Sequence, residues 1–86
     1  MRAAEIKKTG GPEVLELKDI NLSDPKSGEV LIRQVAIGLN YIDTYHRSGL
    51  YPVPLPSGIG LEGAGIIEKV GPDTNGFVEG DKVAYA

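Results

Sequence analysis

The sequence predicts a mainly β fold, a partly open barrel built from five or six short strands and one short helix. Three observations lead to this prediction. Segments rich in β-branched residues are short and bounded by turn residues. The chain has 12 glycines and 6 prolines among its 86 residues, which provide many turns. Signals for both ends of a helix occur in a single stretch, residues 40–48. A chain of this length allows at most one domain.

The first half of the chain alternates between strand and turn patterns. Residues 1–6 predict a first strand, and a turn follows at residues 7–12. From Leu15 to Lys18 apolar and charged residues alternate, which predicts a half-buried strand with Leu15 and Leu17 facing inward. A loop at residues 21–28 precedes residues 29–39, where apolar side chains occupy both alternating phases. This pattern predicts a strand that is buried on both faces or that changes face at a bend or bulge.

Residues 40–48 have the pattern of a short helix. Asn40 suits the N-cap position, and the carboxylate of Asp43 favours the positive end of the helix dipole. Basic residues follow in the last turn, and Gly49 suits the position just beyond the helix. Tyr41 and Tyr45 are four residues apart, so the helix places them on the same face.

A glycine-rich run follows a proline-rich one and leads into a strand. Gly58, Gly60 and Gly63 match the spacing G-x-G-x-x-G of the dinucleotide fingerprint, but that motif needs a strand before it and a helix after it. Here extended, proline-rich chain precedes the run, and β-branched residues 64–70 follow it. We therefore expect the glycines to allow close backbone approach or positive φ. A last strand is predicted at residues 83–86.

Composition excludes several classes of function. Nine Lys and Arg against 12 Asp and Glu, without a basic cluster, argue against a nucleic-acid partner. Cysteine is absent, so these residues form no disulfide or thiolate zinc site. A metal site of His46, Asp43 and Glu62 is conceivable, but a lone histidine in the last turn of a helix more often complements the dipole. No apolar run is long enough for a membrane helix and no signal peptide opens the chain, so we expect a cytoplasmic protein with no membrane partner.

Candidate ligand-binding side chains are concentrated around the predicted helix. The group combines hydrogen-bond donors with aromatic rings and consists of Asn40, Tyr41, Asp43, Tyr45, Arg47 and Tyr51. From the residues alone, helix capping and packing are stronger explanations than a ligand site. Glu62 stands between two glycines, and its simplest interpretation is a solvated loop carboxylate.

Three motifs give the chain a family resemblance. They are Asn-Tyr-Ile-Asp-Thr-Tyr-His-Arg-Ser-Gly-Leu-Tyr-Pro at 40–52, Gly-Leu-Glu-Gly-Ala-Gly-Ile-Ile-Glu-Lys-Val-Gly at 60–71 and Val-Glu-Gly-Asp-Lys-Val-Ala-Tyr-Ala at 78–86. With them the chain resembles the N-terminal GroES-like, alcohol dehydrogenase-like domain of medium-chain dehydrogenases/reductases. It is most similar to the zinc-independent quinone oxidoreductases, or NADPH:quinone reductases.

This resemblance implies a domain organisation and a cofactor. Residues 1–86 correspond to the N-terminal part of the GroES-like substrate domain, truncated before its end. In the family a Rossmann domain follows, binds most of the NADPH and usually makes a homodimer, but these residues do not contain it. Asn40 and Leu61 stand where zinc-dependent relatives have a cysteine and a histidine ligand, so the resemblance implies no catalytic zinc.

The resemblance also implies roles for site residues. Without zinc, hydrogen-bond donors must polarise the substrate oxygen, and the catalytic candidates are Asn40, Tyr45 and Tyr51. The residues expected to line the substrate and cofactor cleft are Tyr41, Asp43, Arg47 and Glu62.

The implied activity is hydride transfer from NADPH to a quinone or a related electron-poor carbonyl. The 86-residue chain alone should be inactive, because the hydride source lies in the other domain. Two alternatives stay open: an enoyl or acrylyl thioester reductase of the same superfamily, and a non-catalytic β-barrel binding module. A strand, glycine-rich turn and helix in the next stretch of the gene would favour the enzyme, and a stop codon would favour the module.

Overall fold

The computed structural model describes all 86 residues and divides the chain into two compact units. Unit 1 comprises Met1–Asn21 and Leu39–Leu61, and unit 2 comprises Leu22–Gly38 and Glu62–Ala86. Six strands, one α-helix and one 3-10 turn follow one another along the chain. The prediction of a mainly β fold with one short helix and open sheets is therefore confirmed. No helix in the structure has the length and apolar character needed to span a membrane.

Unit 1 is a three-stranded antiparallel sheet with a 3-10 turn and the helix. Strand β1 (Arg2–Ile6) lies in the centre and pairs with β2 (Leu15–Asp19) on one side and with β4 (Ser57–Gly58) on the other. The 3-10 turn Pro12–Val14 begins at a proline, whose fixed φ suits the first helical position. Helix α1 spans Tyr41–Ser48, as predicted.

The core of unit 1 is small. Ile6 is 0% exposed and Val14 is 6% exposed. The prediction that Leu15 and Leu17 face inward is wrong, because they are 43% and 71% exposed. Both lie on an edge strand whose five residues are all exposed. Alternation shows which residues share a face of a strand, but it does not show whether anything covers that face.

Unit 2 is a second three-stranded antiparallel sheet. Strand β5 (Gly63–Val70) lies between β3 (Val30–Ile37) and β6 (Lys82–Tyr85). The predicted strands at residues 1–6, 29–39, 64–70 and 83–86 thus fall on β1, β3, β5 and β6, with ends that differ by at most two residues.

Strand β3 changes face at two irregularities. The register against β5 shifts between Leu31 and Ile32 and again between Gln34 and Ala36. The alternative of a bulge is therefore confirmed. Burial on both faces is not found, because Val35 is 74% and Ile37 is 75% exposed.

The glycines of β5 allow backbone and side chains to approach closely. Ile67 is 1% exposed and forms the core of unit 2. A Cβ on Gly65 would overlap the carbonyl group of Arg33 and would lie 2.8 Å from Ile32 Cγ2. Gly60 has φ +109°, and a strand rather than a helix follows the run of glycines. The rejection of the dinucleotide fingerprint is therefore confirmed.

Candidate active site

The start of α1 is closed by a capping box between Asn40 and Asp43. The backbone N–H of Asn40 donates to Asp43 Oδ2 at 2.9 Å. The backbone N–H of Asp43 points towards the Asn40 side chain, but it donates its hydrogen bond to the backbone carbonyl oxygen of Asn40 at 3.0 Å. Asn40 itself is extended, with φ −126° and ψ 162°, and exposed. Its carboxamide therefore stands at the surface of unit 1, on a backbone that the cap holds in place.

Asp43 supports the helix from inside unit 1. It is 1% exposed, the only buried charged residue of the chain. Oδ2 accepts the bond from Asn40, whereas the buried Oδ1 has no hydrogen-bond partner. The sequence predicted both a capping role and a place in the cleft for this residue. The capping role is confirmed, and the place in the cleft stays a prediction.

The end of α1 turns the chain back so that two tyrosines meet. Gly49 adopts the left-handed conformation, with φ 89°, as predicted for the residue beyond the helix. The carbonyl oxygen of Tyr45 accepts both the Gly49 N–H at 3.1 Å and the Tyr51 N–H at 3.3 Å. The rings of Tyr45 and Tyr51 pack edge to face, with centroids 5.3 Å apart at 75°. Two of the three predicted catalytic residues are thus brought together.

Arg47 fastens the helix end to the loop that follows β1. Its Nε–H donates to the Gly10 carbonyl oxygen at 3.2 Å in a partly buried position. The N–H of Gly10 donates back to the Arg47 carbonyl oxygen at 3.0 Å. This pairing of a loop with the helix is not visible in the sequence, because 37 residues separate the two partners.

The other predicted site residues differ in their surroundings. Tyr41 is 81% exposed at the start of the helix, whereas Tyr45 is half-buried and Tyr51 is 51% exposed. Glu62 lies in unit 2 and is exposed, and none of the four salt bridges involves it. Within unit 1, Asn40 therefore lies at the start of α1, and the Tyr45 and Tyr51 rings pack together near its C-terminal end.

Unit 2 has an open surface pocket that the sequence did not predict. Its volume is about 400 Å³, and Glu62 contributes to its wall. The other lining residues are Ala36, Ile37, Gly38, Gly63, Ala64, Ala84 and Tyr85. The Glu62 side chain passes directly over Gly38, where a Cβ would overlap it. A larger residue at position 38 would therefore displace this carboxylate.

Two side chains cross the central strand of unit 2 above Gly63. The Gln34 Nε2–H donates to the Tyr85 hydroxyl oxygen, which links β3 to β6. A Cβ on Gly63 would lie 2.7 Å from Gln34 Oε1 and 2.9 Å from the Tyr85 hydroxyl. The glycine therefore makes room for the bond. Only the register between the strands reveals this, because Gln34 and Tyr85 are 51 residues apart.

The residues present include no cluster suited to a metal ion. No group of three or more His, Cys, Asp or Glu side chains could hold one.

The residues also do not fit the pyrophosphate of a dinucleotide. Such a group is bound by the free N–H groups at the start of a helix. At the start of α1, the carboxylate of Asp43 already takes the Asn40 N–H, and its negative charge opposes an anion there. The glycine run at residues 58–63 leads into β5 instead of a helix. The start of α1 and the glycine run therefore do not suit the pyrophosphate of NADPH.

The fold and these motifs define a class of protein. A mainly β chain with open sheets and one capped helix has the architecture of a GroES-like domain. The sequence model of the Alcohol dehydrogenase GroES-like domain matches residues 26–86. The chain belongs to this family.

Several similar proteins are named quinone oxidoreductases. The chain is 60% identical over 78 residues to the quinone oxidoreductase of Pseudomonas aeruginosa, covering 90% of this chain and 24% of that protein. The crystal structure of Escherichia coli quinone oxidoreductase complexed with NADPH superposes with a TM-score of 0.97 at 49% identity. That match covers 100% of this chain and 27% of the other.

A further relative has a different substrate in its name. The 2-haloacrylate reductase of a Burkholderia species is 41% identical over 86 residues, covering 94% of this chain and 26% of that protein. The chain thus spans about a quarter of the length of the curated relatives it matches.

Proposed function

We propose that this chain is the N-terminal, substrate-side part of an NADPH-dependent quinone oxidoreductase that acts without catalytic zinc. The observation that carries the proposal is the pair of Tyr45 and Tyr51, whose rings are held edge to face at the end of α1. The quinone oxidoreductases among the relatives, and the NADPH in one similar structure, support it. A homodimeric, cytoplasmic protein is part of the same proposal.

The reaction is a two-electron reduction. NADPH supplies a hydride when bound, and a proton from solvent completes the conversion of quinone and NADPH to hydroquinone and NADP⁺. Residues outside this chain hold most of the cofactor, because neither the start of α1 nor the glycine run suits its pyrophosphate.

The chain's own residues stabilise the charge that grows on the quinone oxygen. A hydroxyl or carboxamide donor that is already in place stabilises such an oxyanion without reorganisation during the reaction. Tyr45 and Tyr51 provide hydroxyl donors, and Asn40 provides the amide N–H groups of an exposed carboxamide. The edge-to-face packing restrains the two tyrosine rings, and the bond from the Asn40 backbone N–H to Asp43 restrains the Asn40 backbone, which favours preorganisation.

Removing single donors from the complete gene product tests the proposal. NADPH consumption with 1,4-benzoquinone should be measured for the parent, Tyr51→Phe and Asn40→Asp. Each variant should lose about 2–4 kcal/mol of transition-state stabilisation, as the loss of one oxyanion donor does. Phenylalanine keeps the ring, and aspartate keeps a good N-cap, so packing and capping survive.

Two controls separate the donor effect from general damage. Ser27→Ala removes a hydroxyl whose bond to Asp73 lies in an exposed region of unit 2, and it should retain parental kcat/KM. The isolated 86-residue chain should not consume NADPH. If Tyr51→Phe and Asn40→Asp both keep parental kcat/KM, the donor role is refuted. If the complete protein does not reduce quinone, the proposed activity is refuted.

An acrylyl reductase is the second candidate function, and the identity to 2-haloacrylate reductase favours it. Hydride would then add to a carbon–carbon double bond conjugated to a carbonyl group. The same donors would hold the carbonyl oxygen. The ratio of kcat/KM for 1,4-benzoquinone to that for 2-chloroacrylate distinguishes the two functions.

A further inference from the structure

Arg47 is bound to the Gly10 loop through two reciprocal hydrogen bonds. The side-chain Nε–H donates to the Gly10 carbonyl oxygen at 3.2 Å, and the Gly10 N–H donates to the Arg47 carbonyl oxygen at 3.0 Å. The second bond satisfies one of the carbonyl groups that a helix leaves free at its C-terminus. The side chain and the backbone of Arg47 together hold the last turn of α1 against the Gly10 loop.

Thr9 makes a neighbouring contact with the residue that ends the helix. A Cβ on Gly49 would lie 3.2 Å from Thr9 Cγ2 and 3.3 Å from Thr9 Cβ, so the loop lies against this turn. Gly49 also needs its left-handed conformation, with φ +89°. The loop therefore restrains the same turn that brings Tyr51 back towards Tyr45.

The relative position of the two tyrosines depends on this turn. The Tyr45 carbonyl oxygen accepts both the Gly49 and the Tyr51 N–H groups, and the two rings are in edge-to-face contact. A shift of the helix end would change the direction of the chain after Gly49. It would then separate the two rings.

We propose that Arg47 is a positioning residue, which holds the end of α1 against the Gly10 loop. It thereby keeps the rings of Tyr45 and Tyr51 at their relative positions. The inference rests on the proposed function for its consequence in catalysis. It assigns to Arg47 a role through Tyr45 and Tyr51 instead of contact with the substrate or cofactor. Nε, one of the donors of the guanidinium group, is already directed inward.

Steady-state kinetics of the complete gene product separates the two roles. Arg47→Leu removes the guanidinium group, and Arg47→Lys keeps the charge but loses the rigid donor. Both should lower kcat with benzoquinone by about 10-fold, a moderate displacement of reacting groups, with KM for NADPH changed by less than about 2-fold. If Arg47→Lys keeps parental kcat while Arg47→Leu raises KM for NADPH, the arginine is a charge contact and the inference is overturned.

Arg33 provides the matched control. It is an arginine of unit 2 whose side chain is 65% exposed, 3.8 Å from Glu68 in a surface pair. Arg33→Leu should leave kcat and KM unchanged, because such pairs contribute little. A fall in kcat as large as that of Arg47→Leu would mean that any arginine lost from this chain damages the enzyme, and the inference would fail.

A double-mutant cycle tests the path through Tyr51. In the Arg47→Lys background, Tyr51→Phe should reduce kcat much less than it does in the parent, because the hydroxyl is already displaced. Independent, multiplicative losses would show that Arg47 does not act through Tyr51.

A structural measurement needs no activity. In a crystal structure of the complete Arg47→Lys variant, the Tyr45 and Tyr51 ring centroids should be further apart than 5.3 Å. The Arg33→Leu variant should keep the parental separation. If the parent lacks quinone reductase activity but its rings separate in Arg47→Lys, the proposed function fails and the positioning role stands. If the rings stay at the parental distance, the positioning role is wrong whatever the activity.

Discussion

The two units hold their polar side chains by different means. In unit 1 the backbone N–H groups of Asn40 and Tyr51 bond to residues near them in sequence, whereas the Arg47–Gly10 pair joins the helix end to a distant loop. In unit 2 the Gln34–Tyr85 bond joins two strands across a third and depends on the absence of a side chain at Gly63. A helix end can be restrained by its own cap, whereas a site on a sheet requires close approach between distant segments. Strand β4 of unit 1 should therefore tolerate a Gly→Ala substitution that strand β5 of unit 2 does not.

The largest difference is expected between two Gly→Ala substitutions in strands. Gly65→Ala in β5 places a Cβ against the Arg33 carbonyl group and 2.8 Å from Ile32 Cγ2. Backbone cannot move away as a flexible side chain can, so the free energy of unfolding should fall by about 3 kcal/mol, the upper part of the usual range for overpacking.

The matched control is Gly58→Ala in β4, where the nearest atom to an added Cβ is the Ala4 carbonyl oxygen at 3.9 Å. We expect a change below about 0.5 kcal/mol, the range of substitutions that meet no special feature. Urea unfolding of the parent and of both variants measures the difference. Equal losses would remove the contrast between the units.

A smaller effect should show that the cap of unit 1 needs an acceptor and not a charge. Asp43→Ala removes the acceptor of the Asn40 N–H and should cost about 1–2 kcal/mol of unfolding free energy. Asp43→Asn keeps an acceptor oxygen, and it removes the charge from a buried group whose Oδ1 has no hydrogen-bond partner. The loss of unfolding free energy for Asp43→Asn should be less than half that for Asp43→Ala, because no ionic contact is lost.

Thermal or urea unfolding of both variants checks this expectation. An equal loss for Asp43→Asn and Asp43→Ala would contradict the expectation that an acceptor oxygen is sufficient. The cap would then depend on charge, and the difference between the two units would be reduced.

The difference between local bonds and contacts of distant segments also explains which features could be predicted from the sequence. The capping residues Asn40 and Asp43 and the terminal Gly49 were predicted from their types and spacing, because caps are local. Residue types also predicted a strand at residues 29–39, with a bend or bulge as one of two alternatives, and a strand instead of a helix after the glycine run.

The features that could not be predicted depend on residues that are distant in the sequence. The exposure of Leu15 and Leu17 depends on what covers β2, which alternation does not contain. The Gly10–Arg47 and Gln34–Tyr85 bonds follow from the packing of a loop on a helix and from strand register. Arg47 was predicted as a cleft residue from the family motif, and only the structure shows its bond to the loop. The roles of Asn40, Tyr45 and Tyr51 in catalysis stay predictions.

The smallest expected effect concerns a surface ion pair of unit 2. Lys69 Nζ lies 2.8 Å from Asp24 Oδ1 and links β5 to the loop before β3. The hydrogen bond and charge of Lys69 lower the pKa of Asp24 below its ordinary value of 3.8. The hydrogen bond and charge of Asp24 raise the pKa of Lys69 above 10.5. Both side chains are exposed, so water and salt screen the pair.

The sign of each pKa shift defines the pH window of the pair. A lowered carboxyl pKa contributes stability above the ordinary value, and the contribution is lost as pH falls through the lower folded pKa. A raised amine pKa contributes stability below 10.5, and the contribution is lost as pH rises through the higher folded pKa. The pair should therefore stabilise unit 2 between these limits, including neutral pH. Asp24→Asn should lower Tm slightly at pH 7 and low salt, and it should have no effect at pH 2 or in 1 M NaCl.

Melting curves of the parent and Asp24→Asn at the two pH values and two salt concentrations test this window. Ser23→Ala, in the same exposed loop, is the control for changes in the loop itself. A Tm difference that persists in 1 M NaCl would show that Asp24 acts through packing or a loop hydrogen bond instead of charge. The loop would then be held by short-range bonds, as the start of α1 in unit 1 is. The glycines of β5 would be the remaining difference between the two units.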